Sequence, residues 1–84
     1  MNYQVEFKPR AVKDLKDLPK AQYRRVLAKI EALQQNLAGD VKKLTNFTPE
    51  YRLRVGNYRV FFNFDGAIRI VVIEEVRKRD ERTY

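Results

Sequence analysis

The stretch "YRLRVGNYRVFF", residues 51–62, constrains this chain more than any other. Gly56-Asn57 is a two-residue turn signal flanked by alternating apolar side chains, which predicts an antiparallel hairpin. The residues flanking such a loop pair with one another, so Val55 faces Tyr58, Arg54 faces Arg59, Leu53 faces Val60 and Arg52 faces Phe61. Alternation then gives one face to Leu53, Val55, Tyr58, Val60 and Phe62, and the other to Arg52, Arg54, Arg59 and Phe61. Like charges directly opposed, with Cβ atoms about 5 Å apart, destabilise a strand pair. At a surface-like dielectric two unit charges about 4 Å apart repel by about 4 kcal/mol, far less once long side chains splay and salt screens them. On the residues alone two readings stay open: a solvated basic face, or a site that an anion completes.

The rest of the chain supplies the other side of that hairpin. Tyr3, Val5 and Phe7 alternate with polar residues as a half-buried strand does. "PRAVKDLKDL" sets Ala11, Val12, Leu15 and Leu18 on one side of a short helix that opens at Pro9 and ends at Pro19. From Lys20 to about Asn36, helical spacing of Tyr23, Val26, Leu27, Ile30 and Leu33 predicts a longer helix, with Gly39 as a plausible stop. "DVKKLTNFTPE" reads as a polar connection with a short extended piece near Lys43 to Thr45. Strands follow over Tyr51 to Val55, Tyr58 to Phe64 and Ala67 to Val76, the last two joined at a second turn signal, Asp65-Gly66. The expected architecture is α+β in the order β-α-α-β-β-β, two N-terminal helices on one face of an antiparallel sheet. In that register Ile70, Val72 and Glu74 share the arginine face.

Eighty-four residues suffice for one domain and no second, so residues 1–84 read as a single unit. There is no cysteine and no histidine, which removes disulfides, thiolate chemistry and the commonest metal ligand and general base. No metal site is expected. No window approaches the ~18–20 apolar residues that span a bilayer, and a soluble, cytoplasmic protein is expected. The net charge of +7 favours a polyanionic partner. Seven of the ten arginines lie in residues 51–84. A guanidinium fork grips phosphate and stacks on bases in ways a lysine ammonium does not, so this half is the expected contact surface.

The residues "FKPRAVKDLKDLPK", the long helix, "VKKLTNFTPEYRLRVGNYRVFF" and the end "VRKRDERTY" together resemble the RelE/ParE superfamily of bacterial toxins, in particular its RelE-type branch. The segment "KLTN....YRLRVGNYRVFF" is the specific part. The resemblance implies the RelE-like fold and a type II toxin-antitoxin module. Its toxin would be a metal-independent endoribonuclease that cuts messenger RNA in the ribosomal A site, without a cofactor and held inactive by a RelB-like antitoxin. It also implies a catalytic set: Arg52 and Arg54 before the turn, Arg59 after it, and near the end Tyr84 with Arg79, for which Lys78 is the other candidate. Lys43, Phe61, Arg77, Lys78 and Arg82 are the expected RNA contacts. Well-studied RelE-like members carry lysine where this chain has Arg52 and Arg54, and arginine does not shed its proton in a positive site as lysine can.

In the implied reaction the ribose 2′-hydroxyl attacks its own 3′ phosphate, leaving a 2′,3′-cyclic phosphate and a free 5′-hydroxyl. It needs a proton acceptor, charge neutralisation and a proton donor. The arginines meet the second need. Tyr84 is the expected base, since a phenol of reference pKa about 10 ionises more readily beside guanidiniums. Glu74, and more weakly Glu81, are the carboxylate alternatives. Two rival readings share the composition: a ParE-like gyrase inhibitor on the same fold, and a non-catalytic RNA-binding module.

Overall fold

The computed structural model describes residues 2–78. Strand β1 (Gln4–Phe7) is followed by helices α1 (Pro9–Lys16) and α2 (Lys20–Ala32), a three-residue strand β2 (Val41–Lys43), and strands β3 (Tyr51–Val55), β4 (Tyr58–Asp65) and β5 (Ile70–Lys78). The strands form one sheet in the order β1-β5-β4-β3-β2. The expected β-α-α-β-β-β order is present, with β2 added at one edge. The other edge is mixed: β1 runs parallel to β5, Val5 beside Val71 and Phe7 beside Ile73. An edge strand next to a strand distant in sequence leaves no turn signal to read, which is why the parallel pairing was not legible.

Both helices cover one face. Ala11, Leu15, Val26, Ile30 and Leu33 pack with Leu53, Val55, Val60, Phe62, Val71, Ile73 and Val76 in one core. Residues 26, 30 and 33 recur at helical spacing and the strand residues alternate, so the two periodicities meet face to face. Pro9 opens α1 where its missing N–H is not needed, and Lys13 and Lys16 sit in the last turn, where the helix dipole favours cations. Asp14 binds the sheet directly: its Oδ2 accepts the backbone N–H of Val76 at 3.0 Å. β1 stops opposite Ile73, so that N–H lies on β5's edge beyond the last parallel partner.

Three local differences bear on the site. Helix α2 ends at Ala32, earlier than the periodicity predicted: the N–H groups of Leu33, Gln34 and Gln35 bond back only three residues, Gln35 bridges to Asn2, and Asn36 and Leu37 then take left-handed φ (57° and 60°) before Gly39. The second turn spans four residues, Gly66 to Arg69, with Asp65 beside Ile70; Asp65 Oδ1 accepts the N–H groups of Ala67 and Ile68, and that local bonding replaces the expected two-residue turn. The ladder between β4 and β5 also shifts register at Phe61/Phe62: Phe61 sits beside Glu75 but Phe62 beside Ile73, which leaves Glu74 as the extra residue.

Candidate nucleic-acid interface

The hairpin pairs as its sequence predicts, Arg54 beside Arg59, Leu53 beside Val60 and Arg52 beside Phe61. Gly56 turns the chain at φ +57°, where a residue with a Cβ is strained. β5 extends the pattern, because Arg77 lies beside Arg59. Arg54, Arg59 and Arg77 thus form a row across three adjacent strands, on the sheet face away from the helices. The next row runs Lys42, Arg52, Phe61 and Glu75.

The arginines of these rows relieve their crowding differently. Arg59 is buried, only 7% exposed, and its Nη1 donates to the carbonyls of Gly56 at 3.3 Å and Tyr58 at 3.2 Å. Its sequence suggested an exposed, uncompensated cation; the backbone of the turn compensates it instead. Arg52 is half-buried and reaches Asp40, with Nη1 3.0 Å from the carbonyl oxygen and 3.5 Å from Oδ1. Arg77 is exposed and its Nε lies 2.6 Å from Glu75 Oε1. Arg54 is exposed and has no ion pair among the described residues. By register all four arginines belong to the helix-free face, with Arg52 and Arg77 turned to carboxylates. Arg59 forms the floor, and Arg54 and Arg77 flank it.

Several expected contacts are corrected. Phe61 is fully buried rather than presented to a base, and the ring of Phe47 lies against it with centroids 5.5 Å apart. The 44–50 connection folds over this part of the sheet: Leu44 N–H donates to Glu50 O at 2.7 Å and Glu50 N–H to Asn63 Oδ1 at 2.8 Å. An aromatic in an otherwise polar connection was the available signal. Lys43 pairs with Tyr51, whose ring stacks on Phe62, so it lies on the helix-covered side; Lys42, beside Arg52, takes the position expected of it. Lys78, beside Tyr58, is likewise on the helix side. The register shift brings Glu75, not Glu74 alone, to the arginine face, beside Phe61. Arg79, Glu81, Arg82 and Tyr84 lie outside the described residues.

Next to the rows an open groove of about 410 Å³ runs between the start of α1 and the covering loop, lined by Lys8, Arg10, Asn63, Glu74 and Glu75. A mostly apolar groove of about 170 Å³ lies elsewhere, among Phe7, Val12, Leu15, Lys16, Tyr23 and Leu27. Among the described residues no group of His, Cys, Asp and Glu could hold a metal ion, and no helix is long and apolar enough to cross a membrane.

Comparison with known proteins places the family and the fold. The family model of the ParE toxin of the type II toxin-antitoxin system parDE matches residues 5–83. A Methanocaldococcus jannaschii protein named as a RelE toxin, RelE1, is 33% identical over 95% of this chain and 93% of its own length. The archaeal RelE-RelB complex from Pyrococcus horikoshii contains a chain 32% identical, with TM-score 0.78 over 96% of this chain and 99% of that one. The RelBE2 toxin-antitoxin complex of Mycobacterium tuberculosis contains another, 25% identical, with TM-score 0.79 over 94% of this chain and 100% of that one. With its β-α-α fold and its arginine-bearing hairpin, this chain belongs to the ParE/RelE family of type II toxin-antitoxin toxins.

Proposed function

We propose that this protein is a RelE-type toxin: a cytoplasmic, ribosome-dependent endoribonuclease that cuts messenger RNA in the A site and is neutralised by a RelB-like antitoxin. The observation that carries the reading is the row Arg54, Arg59 and Arg77, with Arg52 beside it, on the helix-free face. A row of guanidiniums suits a phosphate whose charge grows in the transition state. The relatives named RelE, and the solved toxin-antitoxin complexes of similar fold, support the same assignment.

In the reaction the ribose O2′ attacks the adjacent phosphorus while the P–O5′ bond breaks. The 2′-hydroxyl proton leaves to a base, for which Tyr84 is the candidate, and O5′ takes up a proton as it departs. Arg59 faces the equatorial oxygens through its Nε and Nη2 edges, which make no hydrogen bond among the described residues. Arg54, Arg77 and Lys42 hold the flanking phosphates, with Arg79 and Arg82 as further candidates. A site so poor in acid-base groups is slow by itself, and the ribosome supplies the alignment that such chemistry needs. The antitoxin covers the same face with an acidic or amphipathic segment.

The test is a cell-free translation reaction with mapping of message 5′ ends. Breaks aligned with codons in the A site support the reading. Intact message with gyrase trapped on DNA would establish the ParE-type activity instead, and neither outcome would leave a simple RNA binder.

A further inference from the structure

Glu75 is a carboxylate set beside cations that are expected to hold RNA. Its Oε1 lies 2.6 Å from Arg77 Nε and 3.7 Å from Arg10 Nη2. Its side chain is only 17% exposed, whereas those of Arg77 and Arg10 are 47% and 63% exposed. A negative charge at the edge of an RNA site works against binding if it acts only through its field. It helps only by fixing the geometry of a cation. A hydrogen bond this short, from a charged donor to a charged acceptor, fixes the direction of the Arg77 fork. It also draws that fork toward the row of Phe61, away from the Arg59 guanidinium beside it in the ladder. Glu75 comes to this face because the ladder slips by one residue at Phe61/Phe62; with regular pairing Glu74 would lie there and Glu75 would face the helices.

We propose that Glu75 is a positioning residue for RNA. It aims Arg77 at a phosphate next to the one Arg59 floors, and draws Arg10 of α1 to the same edge as an outer contact. This rests on the RNA-cleaving reading above and adds to it a residue that touches no RNA itself.

The two possible roles of the carboxylate predict opposite signs. Glu75→Gln keeps the shape and raises the net charge by one, so a carboxylate acting only by its field predicts tighter RNA binding in the variant. Positioning predicts weaker binding: a three- to tenfold loss of affinity for a single-stranded oligoribonucleotide at fixed salt, with a matching loss in message cleavage. Glu75→Asp, which keeps the charge on a shorter arm, should recover part of the loss. In an Arg77→Ala background Glu75→Gln should cost clearly less than in the wild-type chain, only what the Arg10 contact contributes, a coupling that a merely structural role would not produce. Thermal melts accompany each variant, so that only folded protein is compared. Unchanged or tighter binding by Glu75→Gln, or an equal loss with and without Arg77, overturns the proposal. If the wild-type chain binds RNA but does not cut message, the nuclease reading fails and the binding measurements still decide the role of Glu75. If it binds no RNA, both fall.

Discussion

Replacing Arg59 tests the central argument most directly, because its structural and chemical roles separate in magnitude. Arg59 donates two hydrogen bonds to turn carbonyls, at 3.3 and 3.2 Å, both longer than the common 2.9–3.0 Å. A hydrogen bond to a charged group contributes about 1.5–3 kcal/mol at good geometry, so these two lie at or below the bottom of that range. Gly56 is exposed, and water can reach its carbonyl once the guanidinium is gone. Against this loss, the substitution removes the middle cation from the row Arg54–Arg59–Arg77 and lessens the repulsion among the rest. Truncation also removes the packing of a buried alkyl stem, so the net for Arg59→Ala is a destabilisation of about 1–3 kcal/mol, with a fall in melting temperature of about 4–8 °C for each kcal/mol in a domain of this size. Loss of a preorganised donor at a developing oxyanion costs about 10²–10³ in rate. Arg59→Ala should therefore remain folded at 25 °C and cut message at least a hundredfold more slowly, with Arg59→Lys intermediate because it keeps the charge but not the fork. Urea melts and single-turnover cleavage on programmed ribosomes measure the two effects separately. A folded Arg59→Ala that cuts within threefold of wild type refutes the catalytic role, and one that fails to fold shows that the turn, not the phosphate, is what Arg59 serves.

Other perturbations follow from single contacts. Asp14→Ala removes the acceptor of the Val76 N–H, at an expected cost of about 1–3 kcal/mol in a denaturant melt. Lys42→Ala should weaken binding to a single-stranded oligoribonucleotide and flatten the log affinity against log salt plot by about 0.7. Lys43→Ala, on the other side of the sheet, should change neither. Phe47→Ala removes the ring that lies on Phe61 and should destabilise by about 2 kcal/mol, less than the 3–5 kcal/mol of a fully buried phenylalanine because Phe47 is only half-buried. Amide exchange of residues 44–50 should quicken in the same variant.

The hairpin was readable because local chemistry specifies it. Gly56 permits the turn, alternation fixes which side chains meet the helices, and the period of two leaves Arg54 and Arg59 no choice but to oppose each other. The helices were readable from apolar spacing, and the resemblance carried by "KLTN....YRLRVGNYRVFF" led to the family that the comparisons establish. Tertiary structure decided how these parts meet. The parallel seating of β1 on β5, the fold of the 44–50 connection over Phe61 and the choice of Lys42 over Lys43 all depend on contacts between segments far apart in the chain. So does the slip at Phe61/Phe62 that turns Glu75 toward Arg77. Sequence periodicity says which residues share a face of one element, whereas which element covers that face, and in what register, is set by packing across the whole domain. Thus the charges of this interface were written locally, while the burial of Arg59 and the counter-charge of Glu75 came only with the assembled sheet.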